Sequence, residues 1–156
     1  MARAVDRFEE AATAMGVPVE VHRFPEGTRT TADAARAVGC AIDQIVKSLV
    51  FMADETPLLA LTSGPNRADP ARLAELVGAQ DVRRASPEEA RQATGFAIGG
   101  TPPFGHPRKL RILVDRDLLA LDLLWAAAGS PDSVFPISPQ ALLQASGGEP
   151  ADFKER

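Results

Sequence analysis

One lysine lies inside one of the most apolar stretches of the chain. Residues 44–53 read QIVKSLVFMA, a run rich in β-branched and aromatic residues that predicts a central β-strand. Because side chains alternate along a strand, two faces are expected, one with Lys47, Leu49 and Phe51 and the other with Val46, Ser48, Val50 and Met52. Lysine is almost never fully buried without a partner. The Lys47 ammonium is therefore either a charge that reaches solvent at a sheet edge, or a cation in a pocket wall that faces a phosphate, a carboxylate or a developing oxyanion.

A second unusual segment, residues 95–106, reads GFAIGGTPPFGH. Glycine serves where the backbone needs a positive φ or a close approach to another group. Proline fixes φ and lacks an N–H donor, so this segment is neither a helix nor a central strand. Two interpretations stay open: a tight turn between two strands, or a stiff loop that holds main-chain groups against a ligand.

The common catalytic templates are absent from the sequence. It contains no G-x-S-x-G, G-x-x-x-x-G-K-[ST], H-E-x-x-H or C-x-x-C motif. With His22, His106 and the single Cys40, a dedicated zinc site is not expected, and no cofactor is implied. A hydrolase with this sequence would have to use backbone dipoles, one lysine and groups of its own substrate.

Composition sets the broad class of the protein. The 156 residues, 45% hydrophobic and 24% charged, predict one globular domain over 1–156. The chain has no bilayer-length apolar run and no signal-peptide pattern, and its single cysteine fits a reducing compartment, so we expect a cytoplasmic protein with no membrane contact. The net charge of −4 argues against a DNA-binding or strong general nucleic-acid-binding protein. Scattered cations, among them Arg29, Arg67, Arg83 and Arg84, leave room for a modest phosphate contact.

Periodicity and capping residues predict short helices mixed with strands. Helices are expected at 5–15, 32–38, 70–78, 87–94 and 139–146, and strands at 19–24, 44–53, 56–64, 79–86, 110–115, 118–129 and 133–137. Thr31, Asp69 and Ser86 are the expected N-caps of the second, third and fourth helices, with Ser86 and Glu89 at the spacing of a capping box. The strands at 44–53 and 56–64 are expected to pair through the turn ADETP. A helix remains an alternative for 118–129, and the polar tail from about 147 is expected to fray. The pattern is that of an α/β (α+β) domain with a mixed, mostly antiparallel sheet in a barrel-like core.

Two segments together resemble a known family. The stretches TRTTADAARAVGCAIDQIVKSLVF and GFAIGGTPPFGH are similar to the YbaK/ProX-type aminoacyl-tRNA deacylases, free-standing relatives of the editing domain inserted in bacterial prolyl-tRNA synthetases. The resemblance runs from about Val19 to the C-terminal helix. It rests on a strand lysine, here Lys47, and a G-x-x-x-P loop, here residues 99–103; each motif is weak alone, and the two in this order are fairly specific.

The resemblance implies a deacylase that hydrolyses the ester of mischarged tRNA at its acceptor end. The implied substrate is tRNA-Pro carrying alanine or another small amino acid such as serine, threonine or cysteine, and prolyl-tRNA synthetase is a candidate partner. Lys47 would engage the phosphate or ribose of the terminal adenosine, while the Gly99 backbone would position the amino acid, the ribose hydroxyl and the attacking water. Further substrate contacts are expected from Phe51, Ile98, Gly100, Thr101, Pro103, Phe104 and Ser130.

Several alternatives remain at this point. Core packing is the alternative role for Ile98 and Phe104, and a simple turn is the alternative for Ser130. Ser48 stands where family members often carry threonine or asparagine, so the amino acid that is removed stays open. A non-catalytic module that holds tRNA or a synthetase, and a hydrolase of small amino-acid esters, are the competing functions.

Overall fold

The computed structural model describes residues 3–25 and 30–156. The predicted loop position of Arg29 falls at residues 26–29, outside the described residues. Six α-helices are seen in the described chain: α1 Ala4–Ala14, α2 Thr31–Val38, α3 Pro70–Val77, α4 Pro87–Thr94, α5 Arg116–Leu119 and α6 Pro139–Ser146, with a 3-10 turn at Ile42–Gln44. The strands are β1 His22–Arg23, β2 Ile45–Ala53, β3 Thr56–Ser63, β4 Val82–Arg84, β5 Arg111–Asp115, β6 Leu124–Ala127, β7 Ser133–Ile137 and β8 Glu149–Ala151. None of these helices has the length and apolarity needed to cross a bilayer.

The strands β1 to β8 join one mixed sheet, as the sequence predicts. Its order is β1-β7-β6-β2-β3-β5-β8, and β4 branches off to pair with β2. The pairs β1–β7, β2–β3, β2–β4 and β6–β7 are antiparallel, whereas β2–β6, β3–β5 and β5–β8 are parallel. The predicted hairpin of β2 and β3 is confirmed over almost the whole length of both strands, with Ser48 opposite Leu61. The fold is a single compact α+β domain.

The predicted alternation along β2 separates two parts of the core. Val46, Val50 and Met52 pack into a large cluster that also contains Phe104 and Phe135. The intervening side chains point to the opposite face, where Phe51 packs in a second cluster with Leu58, Leu73 and Phe153. The strand at the centre of the sheet therefore contributes to both apolar layers, which explains its almost continuous hydrophobicity.

Most helix starts follow the predicted capping chemistry. Asp69 accepts from the Ala71 N–H at 2.9 Å, and Ser86 forms the predicted capping box with Glu89. The expectation of Thr31 as a cap is wrong by one residue. Thr30 has the extended backbone of an N-cap, with φ −106°, and its hydroxyl accepts from the Asp33 N–H at 3.0 Å.

Two predictions about the second half of the chain are wrong. Residues 118–129 are not one strand: the Asp115 carboxylate accepts from the Asp117 N–H and starts the short helix α5, so the strand begins only at Leu124. The tail from 147 does not fray. Residues 149–151 pair with β5, and the ring of Phe153 is fully buried beside Leu73, which anchors the C-terminal segment.

Candidate functional site

A gap in the sheet lies beside β2. One edge of this strand pairs with β3 along its length, but its other edge meets β6 only at Ile45 and Val46 and meets β4 only from Phe51 onward. An additional bond joins the Ala85 N–H to the Val50 carbonyl at 3.0 Å. Because N–H and C=O groups of alternate residues face the same edge of a strand, those of Ser48 point into the interval that neither neighbour fills.

A cavity of about 220 Å³ opens at this gap. Its walls come from β2, the end of β6, the residue after β4, the start of α2 and the loop after α4. The polar lining includes Lys47, Ser48, Arg84, Gly99, Thr101 and Ser133. The structure thus brings two segments that are about fifty residues apart in sequence, the strand lysine and the glycine-proline loop, onto the walls of one cavity.

Lys47 lines this cavity and is half-buried. Its ammonium donates a short hydrogen bond to the main-chain carbonyl of Asn66. Burial, followed by the positive charges of Arg84 and Arg67, lowers the pKa of Lys47 below the ordinary lysine value, while the Asp115 carboxylate acts in the opposite direction. No carboxylate forms an ion pair with Lys47 in the described chain. Its charge is therefore available to an anionic ligand.

The glycine-proline loop is a tight turn followed by a stiff, buried segment. The Gly100 N–H donates to the Ala97 carbonyl at 3.0 Å, and Gly99 has φ +88°. This is a type II turn, in which a positive φ at the third residue favours glycine. The turn bond uses Ala97 and Gly100, and among the described residues no hydrogen bond to the peptide group between Ile98 and Gly99 is seen. The Thr101 hydroxyl also donates to Ala97, at 3.1 Å.

Gly100 has a different role from Gly99. A Cβ on Gly100 would lie 2.8 Å from both the Gly129 carbonyl oxygen and the Ser130 Cα, so the two loops touch backbone to backbone. Ser130 does not line the cavity. Its hydroxyl donates to the Asp132 carboxylate at 2.6 Å and lies 2.7 Å from that of Ser133, which does line the cavity. Gly100 and Ser130 thus fix the loop position from behind the cavity wall.

Of the remaining predicted substrate contacts, some line the cavity and others are buried away from it. Thr101 lines the cavity, whereas Phe51, Pro103 and Phe104 are buried in the core and do not. The Phe104 ring stacks near Phe8 and Phe135, with centroids 5.3 and 5.7 Å apart, so it is a core residue. The alternative role of Ile98 as a core residue is wrong, because this side chain is 47% exposed at the cavity rim.

Two cavity residues were not predicted as site residues. The Arg84 guanidinium lies over the Phe51 ring, 5.5 Å from its centroid, and forms no ion pair in the described part of the protein. The Ser48 hydroxyl is buried without a hydrogen-bond partner among the described residues. The sequence carries a signal for each, an arginine at the end of β4 and a polar residue on the apolar face of β2. Neither signal indicates a cavity until the gap in the sheet is known.

The cavity is electropositive, and the charged groups among the described residues that line it are all basic. Lys47 and Arg84 supply positive charge, and no carboxylate, imidazole or thiol is present among the described residues that line it. Nor do three His, Cys, Asp or Glu side chains come together as a metal site would require, within residues 3–25 and 30–156. Such a site can bind an anion and orient a polar group with hydroxyls and main-chain dipoles.

Comparison with known proteins identifies the family of the chain. A family model described as the aminoacyl-tRNA editing domain matches residues 25–145. The chain is 31% identical over 132 residues to the proline–tRNA ligase of Acidithiobacillus ferrooxidans (strain ATCC 53993 / BNL-5-31), covering 85% of this chain but only 23% of the ligase. It is 28% identical over 128 residues to the uncharacterised protein YwhH of Bacillus subtilis (strain 168), covering 81% of each.

Similarity also extends to solved structures. A structure named as a candidate trans-editing enzyme for prolyl tRNA synthetase is 43% identical, with a TM-score of 0.94 over 100% of this chain and 99% of that one. The family match covers well over half of the sequence and includes both Lys47 and the loop at 95–106. The chain therefore belongs to the aminoacyl-tRNA editing domain family, as a YbaK-type member related to the editing domain of prolyl-tRNA synthetase.

Proposed function

We propose that this protein is a trans-editing deacylase that hydrolyses the ester bond of mischarged tRNA in the cavity beside β2. The observation that carries the proposal is the meeting of Lys47 and the Gly99 turn on the walls of one electropositive cavity. The reaction would take place in the cytoplasm, where tRNA is charged, with the acceptor end of the tRNA as the bound part.

The charges favour an anionic substrate at the cavity mouth. Lys47 and Arg84 both border the cavity without an ion pair in the described chain, so a phosphate of the tRNA 3′ end would find two uncompensated cations. Because the net charge of the protein is −4, this local pair, rather than a broad basic surface, would direct the tRNA. A brief contact with the acceptor end fits an enzyme that releases its product quickly.

The size of the cavity favours a small amino acid. Drug-sized ligands occupy pockets of roughly 300–1,000 Å³, and this cavity measures about 220 Å³. The aminoacyl group would enter while the terminal adenosine stayed at the mouth, against Ile98. A synthetase pocket shaped for proline discriminates poorly against smaller residues, since one methylene is worth only about 1–3 kcal/mol. We therefore favour alanine on tRNA-Pro, with serine, threonine and cysteine as further substrates.

The chemistry would depend on orientation rather than on a side-chain nucleophile. Water adds to the ester carbonyl, and the C–O bond to the ribose breaks. One proton of the water goes to the ribose oxygen, the other is released to solvent, and the amino acid leaves as its carboxylate. The peptide group between Ile98 and Gly99 would hold the reacting ester, and Lys47 would hold the adenosine phosphate or ribose. With no carboxylate, imidazole or thiol on the described wall, the neighbouring ribose hydroxyl would help to activate the water.

A panel of charged tRNAs tests the proposal. Purified protein is incubated with tRNA-Pro carrying alanine, serine, threonine, cysteine or proline, and release of the amino acid is followed. We expect fast release of alanine and little release of proline. Lys47→Met should reduce kcat/KM roughly 100-fold, the loss typical when one preorganised electrostatic group is removed. Lys109→Met, which removes an exposed lysine, is the matched control and should keep wild-type activity.

The absence of a carboxylate, imidazole or thiol on the described wall favours one second candidate, a non-catalytic module that binds charged tRNA or prolyl-tRNA synthetase. Tight binding of intact aminoacyl-tRNA with no turnover for any amino acid would select this candidate. Release of amino acids from simple esters as fast as from tRNA would instead indicate a small-molecule esterase.

A further inference from the structure

The Lys47 ammonium donates its hydrogen bond to a carbonyl in a short turn after β3. Lys47 donates to the main-chain oxygen of Asn66, and the Asn66 N–H donates to the Ser63 carbonyl at 2.9 Å. The Ser63 hydroxyl donates in turn to the Asp43 carbonyl at 2.7 Å. The direction of the Lys47 side chain is thus tied to residues 63–66, a segment that does not line the cavity.

A buried carboxylate anchors this turn. Asp115, at the end of β5, is only 2% exposed. Its Oδ2 accepts from the Asn66 side-chain amide at 2.8 Å and from the Ser63 N–H at 3.0 Å, while its Oδ1 accepts from the Asp117 N–H at 3.0 Å. Three donors therefore stabilise the buried charge. Through them, the end of β5 holds the turn beneath Lys47.

The C-terminal segment adds an outer layer to the same network. The Asn66 amide also donates to the Asp117 carboxylate at 2.8 Å, and the Lys154 ammonium donates to that carboxylate at 2.7 Å. Lys154 forms a β-bridge with Ala68. Residues beside the turn are thus joined to the tail that the sequence suggests should fray.

We propose that Asn66 is the positioning residue of Lys47, and that Asp115 and Lys154 keep Asn66 in place. The inference rests on the proposed function, because it assigns the turn a role in presenting Lys47 to the substrate. A lysine side chain has four rotatable bonds, so a charge at its end needs a fixed acceptor to stay on one wall of a cavity. The Asn66 carbonyl is that acceptor, and its own position depends on the two bonds of the Asn66 amide.

The mobility of Lys47 provides a direct test that requires no enzyme assay. The chain contains three lysines, Lys47, Lys109 and Lys154, so ¹³Cε signals from labelled lysine can be assigned by single substitutions. We expect Lys47 to be ordered in the wild type and exposed Lys109 to be mobile. In Asn66→Ala, the order parameter of Lys47 should fall toward that of Lys109. Lysine order unchanged by Asn66→Ala, or a Lys47 already mobile in the wild type, would overturn the proposal.

Kinetics test whether this order matters for the reaction. In Asn66→Ala, kcat for alanyl-tRNA-Pro should fall roughly 10- to 100-fold, as expected when a reacting group is misplaced by about an ångström. Ser138→Ala, which removes the helix cap of α6 at a residue that does not line the cavity, is the control for a general loss of stability. If both variants lose activity in proportion to their melting temperatures, Asn66 is merely structural and the proposal is wrong.

A milder variant covers the case in which Asn66→Ala does not fold. Lys154→Met removes only the outer bond to Asp117, and we expect a partial loss of Lys47 order with a severalfold lower kcat; no change in either would remove Lys154 from the proposal. The two claims fail separately. A wild type that deacylates no tRNA contradicts the proposed function, while the lysine order parameters still decide whether Asn66 positions Lys47.

Discussion

The two walls of the cavity are held in place by different forces. On the Lys47 wall, a chain of hydrogen bonds leads from the ammonium through the Asn66 turn to buried Asp115. On the glycine-loop wall, the position is set by backbone geometry: a type II turn at Gly99 and the direct contact of Gly100 with the 129–130 backbone. One wall depends on polar partners, and the other depends on the absence of side chains.

This difference predicts how each wall responds to substitution. A wall held by hydrogen bonds is destabilised when one partner is removed, because the buried polar groups that remain have lost water without gaining a partner. A wall of close backbone contacts fails when volume is added, whatever the chemistry of the added atoms. Substitutions that separate these two kinds of failure therefore test whether each wall is held by the force assigned to it.

The largest effect is expected from Gly100→Ala. Its Cβ would meet backbone atoms at 2.8 Å, and backbone cannot rotate away as a flexible side chain could. We expect a loss of about 3 kcal/mol in the free energy of unfolding, measured by urea denaturation. Gly147→Ala is the control, since Gly147 has a positive φ of +66° but no atom within 4 Å of the position that an added Cβ would take. An equal loss in both variants would contradict the steric role of Gly100.

A smaller stability effect is expected from Gly99→Ala. The nearest atoms to the added Cβ belong to Pro131, at 3.9 Å, so space is available, but φ is +88°. The strain of that conformation should cost about 1–2 kcal/mol. Activity should fall further than stability explains, because relaxing the strain rotates the peptide group between Ile98 and Gly99. Denaturation and deacylation rates measured on the same samples check this, and full activity would show that this peptide group does not hold the ester.

Removal of the Ser48 hydroxyl is expected to increase the stability of the fold. It is buried on β2 without a partner among the described residues, so Ser48→Ala should stabilise the fold by about 1 kcal/mol. Thr94 is the contrasting buried hydroxyl: it donates to the Ala90 carbonyl at 2.8 Å and accepts from the Phe96 N–H. Thr94→Val should destabilise. If Ser48→Ala also destabilises in thermal unfolding, the Ser48 hydroxyl is hydrogen-bonded in the folded protein and the prediction is wrong.

The smallest effect concerns pH and the glycine-loop wall. Burial lowers the pKa of His106 below its ordinary value of about 6.5, although its bond to the Pro102 carbonyl, 2.7 Å long, acts in the opposite direction. A depressed folded-state pKa means that the unfolded chain binds the proton more tightly. The contribution of neutral His106 to the free energy of unfolding is therefore fully present above pH 6.5 and decreases as the pH falls toward the folded-state pKa.

Melting temperatures at pH 7.5 and 5.5 measure this effect. His106→Gln should reduce the difference between the two temperatures. An identical pH dependence in wild type and His106→Gln would show that His106 does not titrate in this range.

The sequence predicts the parts of this site that depend on local rules. Alternation along β2 gives the two faces of the strand, and glycine with proline gives a tight, stiff turn near Gly99. It does not predict the gap beside Ser48, because that gap exists only where β4 and β6 diverge from β2. The role of the tail was hidden for the same reason, since the burial of Phe153 comes from packing against distant Leu73. Phe51 and Phe104 show the converse, because an aromatic residue near a site can equally be part of the core.

The most direct test uses a non-hydrolysable mimic of the substrate, an adenosine 5′-phosphate that carries alanine on its ribose through an amide. It is titrated into protein labelled on lysine ¹³Cε and on backbone ¹⁵N. We predict that the Lys47 signal and the Gly99 amide shift together with one dissociation constant, while the Lys109 signal does not move. If the mimic binds and neither Lys47 nor Gly99 responds, the cavity beside β2 is not where the aminoacyl end of tRNA is bound.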